Sequence, residues 1–149
     1  MPLNQSLKGK DYGEVSFTVE RDRVVQFADA IGDDNPIYRD AEAAKAAGYP
    51  EQVAPPTFLT TFRDESTNTA AFLEELGTDI SRILHGEQEF EIHRPIKPGE
   101  TFLCRGRVVD IYEKAGKSGP MAFVVRETTA TDGEGEIVAV SRHITVVRL

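Results

Sequence analysis

Residues 53–62 read VAPPTFLTTF, and this stretch decides the fold class. The prolines Pro55 and Pro56 force an extended backbone before any helix can start. Pro56 suits a first helical turn because that position needs no amide hydrogen. The predicted helix carries three large apolar side chains, Phe58, Leu59 and Phe62. A short helix of this composition is expected to be buried against a sheet rather than to lie in solvent.

The segments around this stretch predict one strand and further helices. Residues 15–19 alternate between apolar and polar side chains, as a strand does. The next residues carry an apolar stripe with helical spacing, and Gly32 suits the end of that helix. A second helix is predicted over residues 40–47, with Asp40 as its N-cap. Residues 63–79 predict a helical or irregular excursion with a packing face of Phe72, Leu73 and Leu76.

The C-terminal half of the chain is a series of strands. Residues 85–100, HGEQEFEIHRPIKPGE, alternate in polarity until Pro95 stops the strand. Three longer strands rich in Val, Ile, Phe and Thr are predicted over residues 101–112, 121–131 and 136–147. This order of elements predicts an α+β fold, with an antiparallel sheet of about five strands and the helices on one face. One domain over residues 1–149 is expected.

Composition and charge exclude several classes of function. The 149 residues include 17 basic and 25 acidic side chains, a formal net charge of −8, so a nucleic acid is not an expected partner. No apolar run approaches the ~20 residues of a membrane helix, so no membrane association is predicted. The N-terminus MPLNQSLKGK lacks the apolar stretch of a signal peptide, and the single Cys104 rules out an internal disulfide. Both features favour the cytoplasm. The three histidines are far apart in sequence, so neither a metal site nor a cofactor is predicted.

Three motifs in a fixed order give the chain a family resemblance. Residues 32–40 read GDDNPIYRD, residues 44–49 read AKAAGY, and residues 90–100 read FEIHRPIKPGE. In this order they resemble the MaoC-like hydratase/dehydratase family. The chain is similar to its FAS1-type N-terminal dehydratase branch, which includes accessory subunits of (3R)-hydroxyacyl-ACP dehydratases, and the resemblance covers nearly the whole chain. It implies a hot-dog fold, in which the sheet wraps around a central helix. It also implies an acyl-CoA or acyl-ACP thioester as ligand and a second hot-dog subunit as partner, in a homodimer or a heterodimer.

The first motif departs from the catalytic pattern of that family at one position. Catalytic members carry D-x-N-P-x-H, whose Asp and His act on a water molecule and on the Cα proton of the thioester. The resemblance places Asp33 and Asn35 at the Asp and Asn positions, and Tyr38 where the His stands. A phenol with a pKa of ~10 is poorly matched to acid–base work at neutral pH. Tyr38 could still donate a hydrogen bond or place its ring against an acyl chain.

A second departure concerns the start of the central helix. Catalytic relatives open it with His-Gly, and the glycine N–H faces the thioester carbonyl. The corresponding residues here are Pro55 and Pro56. Proline has no N–H to donate, and Thr57 could offer one only from a residue further along. Losing one such donor costs ~10²–10³ in rate in other enzymes. Together the two departures predict that this chain alone is a poor hydratase.

The candidate site residues fall into two groups. Those for catalysis are Asp33 and Tyr38, and those for substrate binding are Asn35, Pro56, Thr57, His85 and Gly86. Asp33 could instead only cap its turn, because Asp and Asn favour turns. His85 and Gly86 begin the second strand, either near the tunnel that the resemblance implies or simply at the surface. His93 is expected to be exposed, and His143 to be structural.

Three functions remain open at this point. In the first, the chain is an acyl-binding subunit of a (3R)-hydroxyacyl-thioester dehydratase, and its partner brings D-x-N-P-x-H and the glycine. In the second, it is a self-sufficient enoyl-thioester hydratase that uses Asp33 with Tyr38 or His85. In the third, it is a non-enzymatic, homodimeric acyl-thioester binding module. A hot-dog thioesterase is a weaker fourth option, because nothing resembles its nucleophile or base. The two departures favour the first.

Overall fold

A five-stranded antiparallel sheet forms the body of the protein. The computed structural model describes residues 2–62, 68–117 and 119–149. The strands in chain order are β1 (Asp11–Thr18), β2 (Ile83–Ile92), β3 (Thr101–Gly116), β4 (Gly119–Thr131) and β5 (Ile137–Arg148). Their order in the sheet is β1-β3-β4-β5-β2, and every neighbouring pair is antiparallel. The predicted α+β fold with about five strands is confirmed.

The helices are short. The α-helices are α1 (Arg21–Ala30), α2 (Ala41–Ala46) and α3 (Thr69–Leu76). One-turn 3₁₀ helices occur at Gln5–Leu7, Pro36–Tyr38 and Ile80–Arg82, and a longer one at Pro56–Thr61. As predicted, α1 is followed by Gly32 in the left-handed region, at φ 71°. Asp40 caps α2, because its side chain accepts a hydrogen bond from the Ala43 N–H at 2.7 Å.

The predicted excursion over residues 63–79 is helical in the part that the structure describes. Its residues 63–67 lie outside the described ranges, and α3 follows them. The expected packing face is buried, with Phe72, Leu73 and Leu76 between 0% and 6% exposed. Gly77 ends the helix in the left-handed conformation, at φ 78°.

The segment Pro56–Thr61 is here called the central helix. Its apolar side chains, and that of Phe62 directly after it, are buried as predicted. Phe58, Leu59 and Phe62 are 2%, 3% and 5% exposed. The Phe62 ring stacks on that of Phe102 in β3, with ring centroids 5.7 Å apart. The helix is a six-residue 3₁₀ helix. The Thr61 hydroxyl donates to the Phe58 carbonyl at 2.8 Å, and such side-chain bonds compete with helix continuation.

The helix-facing side of the sheet is not uniformly apolar. The central helix covers one apolar cluster, which includes Phe102 and Cys104, while α3 covers a second, which includes Val108 and Val124. Between the clusters, adjacent strands place a row of polar side chains, here called the polar belt: Gln88, Arg126, Thr128, Ser141 and His143. The core is therefore divided in two by polar groups.

Candidate functional site

The turn at residues 32–40 uses its polar side chains to hold its own backbone. The Asp33 carboxylate accepts a hydrogen bond from the Asn35 N–H at 3.0 Å, and the Asn35 side chain accepts one from the Ile37 N–H at 3.2 Å. Arg39 donates to the Asn35 carbonyl at 3.2 Å and to the Asp29 carboxylate at 2.6 Å. These contacts are those of Asx turns and a capped 3₁₀ helix. They account for the geometry of Asp33 and Asn35 without a ligand.

Tyr38 lies inside this turn rather than on its surface. Its side chain is 9% exposed and packs with Ala28 and Val53. Burial, together with the nearby charge of Asp33, raises the pKa of the Tyr38 phenol above its usual value. The phenol is therefore neutral at physiological pH and is even less suited to accept a proton than an exposed tyrosine. Tyr38 can form a wall or donate a hydrogen bond.

A buried glutamine fixes the backbone of Tyr38. The side chain of Gln52 is fully buried, and its Nε2 donates to the Tyr38 carbonyl at 2.6 Å. The guanidinium of Arg21, the first residue of α1, donates to the Gln52 Oε1. One amide thus joins the start of α1 to the turn. Sequence reasoning missed Gln52, because no local pattern marks a polar side chain that becomes buried.

Backbone hydrogen bonds bring the turn and the proline pair to the same place. The Val53 N–H donates to the Ile37 carbonyl at 3.2 Å, and the Ala54 N–H donates to the Ile96 carbonyl at 2.8 Å. A cavity of about 320 Å³ opens beside this junction. It is here called the Tyr38–Pro56 cavity, and its walls include Tyr38, Pro55, Pro56, Ile92, His93 and Ile96. Two positions that the family pattern links to catalysis therefore share one cavity.

The cavity contains an imidazole that the sequence did not assign to it. His93 is exposed, as expected, but both of its ring nitrogens are engaged. Nδ1 lies 2.7 Å from the Ile137 carbonyl, and Nε2 lies 3.0 Å from the Glu91 carboxylate. The hydrogen bond to Glu91, followed by that to Ile137, raises the pKa of His93. Both partners are acceptors, so the arrangement favours the doubly protonated ring and leaves no free lone pair for general-base work.

The start of the central helix offers no donor at the family position. Pro55 and Pro56 carry no N–H, and the Phe58 N–H already donates to the Pro55 carbonyl at 2.9 Å. Thr57 is exposed and is not one of the residues that line the cavity. The chemistry of an oxyanion hole is therefore missing from this wall.

The cations beside the cavity are already paired with carboxylates. Arg94 lies 2.7 Å from Glu100 and 3.4 Å from Asp132. Lys97 lies 3.3 Å from Glu51. Each positive charge is thus balanced within the chain.

His85 and Gly86 lie elsewhere, at a β-bulge in β2. They line a separate cavity of about 510 Å³ together with Val146. Gly86 is required there, because an added Cβ would come within 2.7 Å of the Val146 Cγ2 and 3.0 Å of the Ile144 carbonyl oxygen. The structure thus places Tyr38 and Pro56 in one cavity, with Asp33 and Asn35 in the turn that carries Tyr38, and leaves His85 and Gly86 apart from that cavity.

His85 instead meets His143 of the polar belt. Their rings are 4.3 Å apart in an edge-on arrangement. The Gln88 amide donates to the Ser141 hydroxyl at 2.8 Å, and its oxygen lies 3.3 Å from His143 Nδ1. Burial, the charge of Arg126 and His85 lower the pKa of His143 to about 4, so the ring is neutral at pH 7. Nδ1 then carries the proton and Nε2 is an acceptor. Sequence reasoning took His143 as structural and missed this belt.

Two further features are absent from the described residues. Among them, no group of three or more His, Cys, Asp or Glu side chains is placed to hold a metal ion. No helix in the same ranges has the length and apolar character needed to cross a membrane.

Comparisons with known proteins agree with this geometry. A family model described as FAS1-like, dehydratase domain region, matches residues 6–141. A UPF0336 protein of Saccharopolyspora erythraea is 40% identical over 149 residues, which cover 99% of this chain and 93% of that protein. The HadBC (3R-hydroxyacyl-ACP dehydratase) complex of Mycobacterium tuberculosis contains a chain that superimposes with a TM-score of 0.75 at 25% identity, covering 94% of this chain and 96% of that one.

A second solved structure extends the comparison. A MaoC-like dehydratase superimposes with a TM-score of 0.78 at 29% identity, covering 97% of this chain and 43% of the longer one. The sheet order and the buried central helix are those of the hot-dog fold that these proteins share, so the predicted fold is confirmed. With the family match spanning most of its length, the chain belongs to the FAS1-like dehydratase domain region family.

Proposed function

We propose that this chain is the acyl-thioester-binding subunit of a (3R)-hydroxyacyl-ACP or -CoA dehydratase and that a second hot-dog chain supplies the catalytic groups. The Tyr38–Pro56 cavity carries the proposal. It has apolar walls at the place where the family acts, yet it lacks a free base and the backbone N–H donor of the family pattern. Tyr38 is a neutral phenol, both nitrogens of His93 are engaged, and Pro56 has no N–H.

The charges around the cavity support a site in which two chains bind different parts of the thioester. CoA and the phosphopantetheine arm of an acyl carrier protein both present phosphate groups, which require a basic site. Arg94 and Lys97 are the cations beside this cavity, and both are paired with carboxylates of the same chain. We therefore assign the phosphate contacts to the partner and the acyl group to this chain.

The relatives support a two-chain arrangement as well. HadBC, which is similar over 94% of this chain, is described as a complex of a (3R)-hydroxyacyl-ACP dehydratase. The self-sufficient hydratase has less support, because His85 lies apart from Tyr38 and Asp33 is bonded within its turn. The proposal also takes residues 1–149 as one domain in the cytoplasm, where the buried Cys104 stays reduced.

An enoyl-thioester hydration assay tests the function. The chain is assayed alone and after co-expression with a hot-dog chain of the same genome that carries D-x-N-P-x-H and His-Gly. We expect background rates with crotonyl-CoA and longer enoyl-CoA for the pure chain and turnover for the complex. In the complex, Asp33→Asn should leave the rate nearly unchanged, whereas the same change in the partner's motif should abolish it.

Tyr38→Phe is the matched control, because it keeps the wall and removes only the hydroxyl. Its complex should retain activity. Robust turnover by the pure chain, lost in Asp33→Asn or His85→Ala, would overturn the proposal in favour of the self-sufficient hydratase.

A further inference from the structure

The edge of the sheet formed by β2 is open for pairing. Within the described residues, β2 is bonded on one side only, to β5. Two of its large apolar side chains are exposed, Leu84 at 55% and Ile92 at 38%. The other edge strand, β1, is shorter, with eight residues against ten. A long edge with exposed apolar groups is the better surface for another strand.

The outward face of this edge is acidic. Gln88 and Phe90 point toward the helices, where Gln88 bonds Ser141 and Phe90 packs on the core. Strand alternation therefore turns the intervening residues outward, and these are the exposed glutamates Glu87, Glu89 and Glu91. The edge thus carries three carboxylates in three successive outward positions.

One arginine serves most of these carboxylates. Arg142 of β5 lies 2.6 Å from Glu89, 3.5 Å from Glu91 and 2.8 Å from Glu127 on the neighbouring strand. His93 also contacts Glu91. In the described part of the chain, Glu87 has no ion pair. The face remains net negative even with these cations included.

Pairing with a second copy would bring these charges together. When β2 pairs antiparallel with its own copy around a two-fold axis, opposite residues share a face of the sheet. Because the glutamates occupy every outward position from 87 to 91, an axis at any residue in that range sets at least one glutamate directly opposite another. Like charges in this position destabilise the pair.

We propose that the β2 edge is built to pair with a hot-dog chain whose matching edge strand presents Lys or Arg outward, and that its acidic face disfavours a second copy of this chain. The inference rests on the proposed pairing with a second hot-dog subunit and specifies the chemistry of that partner. The charge of the β2 edge would then select the partner, because it attracts a basic edge strand and repels the β2 edge of an identical chain.

Salt dependence of the pure chain is the first test. Sedimentation equilibrium at micromolar concentration should show mainly monomer at low ionic strength. Raising the salt to about 0.5 M shortens the screening length to a few ångströms and should strengthen self-association by about tenfold. A tight homodimer that is insensitive to salt would overturn the proposal.

Substitutions on the edge provide the second test. The triple variant Glu87→Gln, Glu89→Gln, Glu91→Gln should self-associate about tenfold more tightly at low salt and lose most of the salt dependence. A matched control with the same charge change, Glu74→Gln, Glu134→Gln, Glu136→Gln, alters exposed glutamates away from β2 and should behave like the unaltered chain. Equal behaviour of the two triple variants would overturn the proposal.

A charge-reversed copy serves as the partner probe. The variant Glu87→Lys, Glu89→Lys, Glu91→Lys, mixed with the unaltered chain, should give a one-to-one heterodimer by native mass spectrometry. Glu87→Lys alone is the second variant if the triple one misfolds, because Glu87 is not bonded to Arg142. A mixture without heterodimer would overturn the proposal. Since mass is the readout, this failure is separate from a failure in the hydration assay.

Discussion

The Tyr38–Pro56 cavity and the polar belt differ in what their polar side chains do. At the cavity, Asp33 and Asn35 hold the backbone of a turn, and His93 is bonded through both nitrogens. In the belt, Gln88 orients His143 as a neutral imidazole with Nε2 as an acceptor. Residues that match the catalytic pattern of the family thus maintain shape in this chain. The side chains of the polar belt do not hold a turn, and they lie deeper, between the two apolar clusters.

The largest expected effect comes from rebuilding catalysis at the cavity. Pro55→His and Pro56→Gly combined with Tyr38→His would restore both a base and an oxyanion donor. A base contributes ~10²–10⁴-fold and a donor ~10²–10³-fold, and groups that act together are strongly non-additive. We expect the triple variant to hydrate crotonyl-CoA at least ~10²-fold faster than the unaltered chain. The rate is measured from the decrease in absorbance as the enoyl thioester is hydrated.

Tyr38→His alone is the control for that experiment. It should gain little, because Pro56 still denies the oxyanion its donor. A full gain from the single substitution would show that an oxyanion donor is already present at the cavity. The statement that the polar groups of the cavity only maintain its shape would then be wrong.

A smaller effect is expected from Gln52→Leu, which tests whether the turn is held from within. The substitution leaves the Tyr38 carbonyl and the Arg21 guanidinium without their shared amide. Losing one partner of a buried hydrogen bond costs ~1–3 kcal/mol in the free energy of unfolding. Urea denaturation followed by circular dichroism measures it. Gln26→Leu on the exposed face of α1 is the matched control and should change stability by less than ~0.5 kcal/mol.

The polar belt predicts a loss of stability in acid. The pKa of His143 falls from its ordinary value of 6.5 to about 4 in the folded chain. As the pH falls, the imidazole therefore binds a proton in the unfolded chain before it does so in the folded chain. The stabilising contribution of the neutral His143 is present above pH 6.5 and is lost between pH 6.5 and about 4. Thermal unfolding across that window should show a shallower decline for His143→Gln. An identical pH dependence would contradict the buried, neutral imidazole.

At the Tyr38–Pro56 cavity, His93 should change the pH dependence of stability in the opposite direction to His143. This is the smallest of the expected effects. The pKa of His93 is raised by Glu91, so its contribution is present below pH 6.5 and is lost as the pH rises through the folded pKa. His93 and Glu91 are both exposed, and solvent screening keeps this contribution small. Comparing His93→Gln with the unaltered chain between pH 6 and 8 measures the effect. The substitution should lower the stability more at pH 6 than at pH 8, and the reverse order would contradict the charged pair of His93 with Glu91.

Most of the fold could be predicted because it rests on local patterns. The strands follow from alternation, the end of α1 from Gly32, and the cap of α2 from Asp40. The burial of Phe58 follows from the apolar composition of residues 53–62. Each of these signals lies within a few residues of the element that it specifies.

The site was only partly predictable because its contacts are long-range. The resemblance led to Tyr38 and Pro56, which share a cavity. For His93 the sequence predicts only an exposed side chain, because its role depends on the Ile137 carbonyl, a contact that no local pattern encodes. Gln88 was interpreted as one step of an alternating strand, and its neighbours in the belt come from β4 and β5.

The sheet order also bears on how the protein folds. β3, β4 and β5 follow one another in the chain and pair as a meander, whereas β1 pairs with β3 from the opposite end of the sequence. Contacts that close long loops form late, so the meander is expected to form first. The Tyr38–Pro56 cavity requires residues 37–56 to meet residues 92–96, and it is completed only after the meander exists. The backbone amides that line the cavity should accordingly exchange their hydrogens faster than those of β4, so local opening there precedes opening of the meander.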